Sequence, residues 1–271
     1  MKSVLVTGYA TNIGKSIALR FYHEGYHIIG VHGPNSKAKS EELLANYPEM
    51  EAFEADFCSN TSVDALLDAL KNCRFDVVVN NAATISVAND GRIRNEFKEF
   101  DYKSFSAVMR CNFDAAVRIC LELKQNINEG GSIINISSGG GMRASYASLS
   151  YAASKAALIN FTQSISNSFY PTNRIRVNCV SPGWVDVEEA SLMGSDKNSP
   201  GGKAARLIAL GRSARAQEIA NVVYFLTTEE ASYINGSNII VDGGWLNHNV
   251  IYYEEATGES LLSDSLCKKE E

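Results

Sequence analysis

The sequence lacks the features that would place it in a membrane, a secretory route or a nucleic-acid complex. It has no run of about 18 apolar residues, which a membrane-spanning helix requires. Its start, Met1 to Gly8, has only a short apolar stretch and no cleavage site, so we expect no signal peptide. The net charge of −6 argues against a nucleic-acid partner, which would favour a basic surface. We therefore expect a cytoplasmic protein with no membrane partner.

Motifs for metal sites and for hydrolysis are also missing. The six cysteines form no CxxC pair and the four histidines form no HExxH motif, so we predict no metal site. No GxSxG turn is present to carry the nucleophile of a Ser-His-Asp hydrolase. The cysteines are interpreted as buried thiols in a reducing compartment.

Short apolar runs alternate with helical patterns along the 271 residues. Strands are predicted at Val4–Val6, His27–His32, Phe53–Ala55, Asp76–Asn80, Ser132–Ser137, Ile175–Val180 and Asn238–Val241. Helices are predicted near 13–24, 38–46, 61–71, 102–127, 151–169 and 215–227. This alternation implies right-handed crossovers. The predicted fold is α/β, a three-layer, doubly wound parallel sheet of Rossmann type with seven strands.

The chain is predicted to form one domain followed by a tail. No Gly/Ser linker or internal repeat divides residues 1–244. Residues 184–214 contain no clear strand and several glycines, and loops of this length are usually functional, so we predict a substrate lid. Residues 245–271 carry six acids against two lysines. We expect the apolar part, 245–253, to pack across a subunit boundary near a substrate pocket; the alternative is a frayed terminus.

The first predicted strand runs directly into a turn that contains Gly8 and Gly14 and precedes an amphipathic helix. Such a turn lets the backbone approach a pyrophosphate, and the helix N-terminus supplies N–H donors. Asn12 stands where a third glycine is common, and asparagine tolerates left-handed backbone. The segment predicts a dinucleotide site at the first strand-to-helix junction.

Three residues further along predict proton-transfer chemistry. Ser138 ends the fifth predicted strand, and Tyr151 and Lys155 lie on one face of the next helix, since they are four residues apart. A nearby ammonium lowers the pKa of a tyrosine from its usual value of about 10. Ser138 can hydrogen-bond the same oxygen. This group suits proton exchange at a carbonyl or alcohol oxygen while hydride moves to or from a nicotinamide.

In order and spacing, these segments resemble the short-chain dehydrogenase/reductase family over about residues 3–244. Further matches are Asp56, Asn80-Asn81-Ala82-Ala83, Asn112, Pro182-Gly183 and Val241-Asp242-Gly243-Gly244. The resemblance implies that Tyr151 is the catalytic acid/base and that Lys155 lowers its pKa and holds the nicotinamide ribose. It also implies that Ser138 polarises the substrate oxygen and that Asn112 supports a water-linked proton relay. Ala83 in place of glycine, and Val187 in place of a common threonine, depart from the family pattern.

The resemblance further implies a set of cofactor-binding residues. They are Gly8, Thr11, Asn12, Ile13, Gly14, His32, Asp56, Phe57, Asn80, Ala82, Tyr151, Lys155, Pro182, Gly183 and Val185. Relatives that prefer NAD place an acid at the end of the second strand. Here that position is His32, and the residues that follow it up to Lys37 include no acid. NADP(H) is therefore favoured over NAD(H), although Thr11 stands where many NADP-binding relatives have an arginine.

The substrate is predicted only as a small-molecule ketone or secondary alcohol. Arg143 and Tyr146, between Ser138 and Tyr151, are expected to form one wall of the substrate pocket, and Met193 to belong to the lid. The resemblance implies a homotetramer or homodimer built through the helices at 102–127 and 151–169. An alternative from another class is a dinucleotide-binding sensor or scaffold without turnover. Such proteins usually lose the tyrosine or the lysine, and both are present here.

Overall fold

One parallel sheet organises the part of the chain that the computed structural model describes, residues 1–85, 96–145, 148–186 and 205–247. Within these ranges it has seven strands, ordered β3-β2-β1-β4-β5-β6-β7. They are β1 (Ser3–Thr7), β2 (His27–His32), β3 (Glu51–Glu54), β4 (Phe75–Asn80), β5 (Ile127–Ile136), β6 (Arg176–Pro182) and β7 (Asn238–Val241). The predicted doubly wound parallel sheet is confirmed.

Helices cover both faces of the sheet and complete the three layers. They are α1 (Asn12–His23), α2 (Lys37–Asn46), α3 (Asn60–Leu70), α4 (Tyr102–Met109), α5 (Ala115–Glu122), α6 (Leu149–Asn173) and α7 (Ala216–Phe225). A π-helical segment, Arg110–Asp114, joins α4 to α5. None of the helices in the described ranges is long and apolar enough to cross a membrane.

The core consists of two apolar layers, one on each face of the sheet. Leu5 of β1 lies in the layer formed with α3, α5 and α6, whereas its neighbours Val4 and Val6 lie in the layer formed with α1 and α7. The same alternation occurs in β4, where Val78 and Val79 face opposite layers. Because both faces are covered, these strands are apolar throughout instead of alternating with polar residues.

The predicted elements differ from the observed ones mainly at their ends. The strand β5 begins at Ile127, five residues before the predicted start at Ser132, and passes through Gly130 at φ 78°. The pairing of β4 with β5 shifts register there. A glycine-containing, irregular strand start shows no apolar run, which is why the pattern missed it. Residues 187–204 of the predicted lid, and the tail from residue 248, lie outside the described residues.

The strand order places a crevice at the carboxyl edge of the sheet. The chain moves outward from β1 to β2 and β3, and then returns to the other side of β1 to start β4. The connections after β1 and β4 therefore leave the sheet in opposite directions. In open α/β sheets, ligands bind outside the carboxyl ends of the strands at such a point.

Candidate active site and dinucleotide cleft

The turn after β1 is built for close backbone approach. Gly8 has φ 68°, a left-handed conformation that glycine adopts without strain. A Cβ on Gly14 would lie 2.0 Å from the carbonyl oxygen of Gly8, so only glycine fits at the start of α1. Asn12 has φ 40°, the left-handed backbone expected of it. Its Oδ1 is buried with no hydrogen-bond partner among the described residues.

Asn81 ties the ends of β1 and β4 together. Its side-chain Nδ2 donates to the carbonyl oxygen of Thr7 at 2.9 Å. In return, Thr7 Oγ1 accepts the backbone N–H groups of Asn81 and Ala82, both at 2.9 Å. This reciprocal pair fixes the crevice floor at the point where the two strands diverge.

A cleft of about 880 Å³ opens above this floor. Of the residues predicted to bind the cofactor, those that line it are Gly8, Thr11, Asn12, Ile13, Asp56, Phe57 and Ala82. Gly14, His32 and Asn80 are not in its lining, and Asn80 is buried, where its Nδ2 donates to Asn135 Oδ1 at 2.8 Å. Pro182 and Gly183 lie at the end of β6, and Val185 pairs with Ala214 just beyond it. The cleft therefore contains the core of the predicted set, but not all of it.

His32 is the last residue of β2. It is buried, with only 7% of its surface exposed, and therefore lies below the cleft and not in its lining. Its Nδ1 donates to the carbonyl oxygen of Gly33 at 3.1 Å. The cleft wall at this end is formed instead by the segment 33–36 that follows. That segment presents a glycine, a proline, an asparagine and a serine, and carries no charge.

Ser138, Tyr151 and Lys155 meet at the carboxyl end of β5. Ser138 opens a short 3₁₀ turn, in which its hydroxyl oxygen accepts the N–H of Gly140 at 3.0 Å, and it hydrogen-bonds the phenol of Tyr151. Lys155 is 2% exposed, and its Nζ lies 5.8 Å from the centre of the Tyr151 ring. The ammonium donates to the carbonyl oxygen of Ile136 at 2.7 Å. The structure thus brings together the three residues that the sequence singled out.

Burial sets the charge states of this group. Desolvation lowers the pKa of Lys155 to about 8. Desolvation also raises the pKa of Tyr151, and the hydrogen bond to Ser138 opposes that rise only in part. The sequence predicted a tyrosine pKa lowered by Lys155, and in this structure that prediction is wrong in direction, because burial outweighs the other effects. At neutral pH Tyr151 is therefore a protonated phenol, able to donate.

Asn112 lies in the π-helical segment and is 2% exposed. Its side-chain amide clamps the backbone of Thr84 with two hydrogen bonds. Oδ1 accepts the Thr84 N–H at 2.8 Å, and Nδ2 donates to the Thr84 carbonyl at 2.9 Å. The same Nδ2 donates to Ser154 Oγ, 3.1 Å away on α6. Asn112 thus links the cleft wall to the helix that carries Tyr151 and Lys155.

Comparisons with known proteins identify the family of this chain. A family profile described as enoyl-(acyl carrier protein) reductase matches residues 8–246. The 3-oxoacyl-[acyl-carrier-protein] reductase of Chlamydia trachomatis is 31% identical over 250 residues, which are 90% of this chain and 96% of that protein. A short-chain dehydrogenase/reductase from Serratia marcescens superposes with a TM-score of 0.78 and is 25% identical, over 90% of this chain and 98% of its own. The chain belongs to the short-chain dehydrogenase/reductase family.

A second solved structure, the angucycline C-6 ketoreductase LanV with bound NADP, superposes on this short-chain dehydrogenase/reductase with a TM-score of 0.77. It is 28% identical and covers 91% of this chain and 96% of its own. Family membership makes the protein an oxidoreductase, as the sequence predicted.

Trp245 packs against the turn that follows Ser138 in this short-chain dehydrogenase/reductase. A Cβ on Gly139 would lie 2.8 Å from its indole ring, so the glycine makes room for it. The guanidinium of Arg143 stacks 4.7 Å from the Trp245 ring centre, and Trp184 meets the same ring edge-on at 6.1 Å. Of the predicted substrate residues, Arg143 is therefore close to the site, whereas Tyr146 and Met193 lie outside the described residues.

Several side chains at this site were not predicted from the sequence. Asn81 belongs to a matched motif but was not assigned a site role. Glu96 accepts hydrogen bonds from the backbone N–H and the hydroxyl of Ser150, next to Tyr151, and no local pattern signals that long-range pair. Cys58 and Cys111 both line the cleft, although their spacing fits no motif.

Proposed function

We propose that this short-chain dehydrogenase/reductase interconverts a ketone and a secondary alcohol with NADP(H), using Tyr151 as the proton-transfer group. The observation that carries the proposal is the hydrogen-bonded Ser138–Tyr151 pair with the Lys155 ammonium beside the phenol ring. A bound nicotinamide dinucleotide would supply or accept the hydride. In the reducing direction Tyr151 donates its proton to the carbonyl oxygen, and the Ser138 hydroxyl holds that oxygen in place.

The cleft suits a dinucleotide. Its glycine turn leaves space at Gly8 and Gly14 for backbone contact with a pyrophosphate, and α1 directs its N-terminus there. The unpartnered Oδ1 of Asn12 is a buried acceptor that a ribose hydroxyl or a water molecule could satisfy. Asp56 and Phe57 would border the adenine. The solved relative with bound NADP supports the same use of the cleft.

A turnover assay tests the proposal. Purified protein is mixed with NADPH and a panel of small ketones, including 3-oxoacyl thioesters suggested by the bacterial relatives, and loss of NADPH absorbance is followed. Turnover of at least one ketone is expected. Tight NADPH binding without turnover across the panel would favour the alternative, a silent sensor or scaffold. Absence of dinucleotide binding would contradict both.

The preference for NADP(H) rests on the wall segment after β2. Its residues 33–36 line the cleft and carry no acid, so nothing in that segment repels a 2′-phosphate. Asn35 and Ser36 offer polar side chains, and Lys37 begins α2 directly behind them. We expect a lower Kd for NADPH than for NADH.

A single substitution makes this preference testable. Asn35→Asp places a carboxylate in the wall, and we expect it to shift the ratio of the two Kd values toward NADH by about tenfold, or about 1.4 kcal/mol. Asn35→Ala is the matched control, since it removes the amide without adding charge. A wild-type protein that prefers NADH, or an Asp variant with an unchanged ratio, would contradict the assignment.

A further inference from the structure

Two thiols lie near each other in the lining of the dinucleotide cleft. Cys58 lies in the turn between β3 and α3, and Cys111 lies in the π-helical segment, which forms another part of the wall. Both line the cleft, both are partly exposed, and each thiol is the largest cause of the shift in the pKa of the other. The other described cysteines, Cys73, Cys120 and Cys179, are absent from the cleft lining. Cys58 and Cys111 therefore form a neighbouring pair that is open to small reagents.

The backbone around the pair holds it in place. The Cys58 N–H donates to Asp56 Oδ1 at 2.9 Å, and the Cys58 carbonyl accepts Arg110 Nη1 at 3.1 Å. Arg110 precedes Cys111 in the chain, so this bond spans the same two walls as the thiols do. The two sulfur atoms are thus kept near each other by contacts on either side of them.

The pair has a defined nucleophile. The hydrogen bond from Cys111 lowers the pKa of the Cys58 thiol, and the Arg110 guanidinium acts in the same direction, while burial and the Asp56 carboxylate oppose both. The pKa of Cys111 is raised, first by that shared hydrogen bond and then by burial. Because the thiolate is the reactive form of cysteine, Cys58 is the thiol that reacts first.

We propose that Cys58 and Cys111 form a reversible disulfide on exposure to hydrogen peroxide, and that this disulfide weakens dinucleotide binding in the cleft. The second half of the proposal rests on the proposed function. In the first step the Cys58 thiolate attacks one peroxide oxygen, the O–O bond breaks, and sulfenic acid and hydroxide form. In the second, Cys111 attacks the sulfur of that sulfenic acid, the S–S bond forms and the S–O bond breaks. The hydroxyl leaves as water with the proton from Cys111. Overall, two thiols and one peroxide give one disulfide and two water molecules.

The disulfide would deform both walls of the cleft. A disulfide needs an S–S distance of about 2.05 Å, well below the separation of two sulfur atoms that are not bonded to each other, so the two segments must draw together. On one side that movement acts on Asp56, which is bonded to the Cys58 N–H. On the other it acts on Asn112, which follows Cys111 and clamps Thr84. Asp56 and Thr84 both line the cleft, so its shape must change.

The experiment measures disulfide formation and NADPH binding separately. Full-length protein is treated with a small excess of hydrogen peroxide, digested without reductant, and searched by mass spectrometry for a linked peptide pair containing Cys58 and Cys111. The Kd for NADPH is measured before treatment, after it, and after addition of dithiothreitol. We expect the linked pair, a rise in Kd of about tenfold, and recovery on reduction.

Each variant is compared with itself before and after peroxide. Cys58→Ser and Cys111→Ser should each lose the peroxide-dependent rise in Kd, whereas Cys73→Ser, a partly exposed thiol outside the cleft, should respond as the unmodified chain does. Absence of the linked pair, or a linked pair with an unchanged Kd, overturns the proposal. Failure of the reduced protein to bind NADPH would instead overturn the proposed function, because the crosslink is detected without ligand.

Discussion

Tyr151 and Lys155 occupy one helix face, but their surroundings push their proton affinities in different directions. Burial raises the pKa of the phenol and lowers that of the ammonium to about 8. The phenol therefore loses its proton at a higher pH than the ammonium does, which reverses the order of the free side chains, whose pKa values are about 10 for tyrosine and about 10.4 for lysine. Near neutral pH the pair consists of a neutral donor and a cation that donates to Ile136. Residue type and spacing identified the pair, whereas its protonation depends on packing.

Substitution of Tyr151 by phenylalanine tests the proton donor. Tyr151→Phe removes only the hydroxyl, so we expect turnover to fall by about 10²–10⁴-fold, the usual size of general acid–base catalysis. The Kd for the dinucleotide should stay nearly unchanged. Tyr170→Phe, at a 46% exposed tyrosine on the same helix, is the matched control and should keep full activity. If Tyr151→Phe retains more than about a tenth of the activity, the assigned role is wrong.

The lowered pKa of Lys155 predicts a pH dependence. Lys155 has a pKa of about 8, so it carries its positive charge below that pH and loses the charge as the pH rises through it. Since a positive charge beside Tyr151 assists transfer of its proton, kcat/KM for ketone reduction should fall above about pH 8. The profile is measured by initial rates across pH 6–10, roughly the range over which a lysine shifted in this way titrates. Melting temperatures at each pH control for unfolding, and a rate that stays level through this range would argue against the role of Lys155.

Among the elements, the segment between α4 and α5 shows how local geometry serves the site. The sequence predicts one continuous helix over 102–127, but five residues of it, Arg110–Asp114, are π-helical. A π turn inserts one extra residue and rotates the side chains that follow. Here it carries Cys111 to the cleft wall and Asn112 inward to Thr84 and Ser154. Such segments occur frequently at functional sites.

Removal of the Asn112 amide tests this element. Asn112→Ala removes two hydrogen bonds to the backbone of Thr84, and each such bond contributes about 0.5–1.5 kcal/mol to stability. We expect a lower melting temperature and a lower kcat, because Thr84 lines the cleft and Ser154 lies beside Tyr151. Asn160→Ala, at an exposed position of α6, is the control and should change neither. If Asn112→Ala has an unaltered melting temperature, the hydrogen bonds between Asn112 and Thr84 contribute nothing to the free energy of unfolding.

The sequence predicted the elements well and the contacts between them less well. The seven strands of the described part were all located, five of them because continuous apolar runs mark strands that are covered on both faces. Asn12 was expected to be left-handed and is, because few residue types tolerate that backbone. By contrast, His32 was expected in the cofactor site and is buried below the cleft. Its burial depends on its side-chain rotamer and on the residues that pack around it, which a local sequence pattern does not specify. The Cys58–Cys111 contact joins positions distant in sequence, so no spacing rule could reveal it.

At the scale of the whole molecule, the segment after β7 closes one side of the active site. Asp242 accepts the N–H groups of Gly244 and Leu246, both at 2.8 Å. Gly243 and Gly244 have φ of 63° and 87°, which turns the chain back toward the turn after β5. Trp245 then reaches Gly139 and Arg143. The hypothesis that 245–253 packs across a subunit boundary near a substrate pocket stays a prediction, since residues from 248 onward lie outside the described part of the chain.

Two truncations separate the roles of Trp245 and of the acidic remainder. Ending the chain after Gly244 removes Trp245, which leaves the glycine turn after Ser138 uncovered and Arg143 without its stacking partner. We expect a loss of about 1–3 kcal/mol in stability, the usual value of a large apolar contact, and a raised KM.

Ending the chain after Asn247 keeps Trp245 while removing every residue beyond the described part. If 248–253 also packs at a subunit boundary, this second truncation should weaken assembly, measured by light scattering, while leaving a smaller effect on KM. Trp245→Ala in the full chain should reproduce both the loss of stability and the raised KM, and should leave assembly unchanged. If both truncated proteins match the full chain in melting temperature, assembly and KM, the tail has no structural role and the docking hypothesis is wrong.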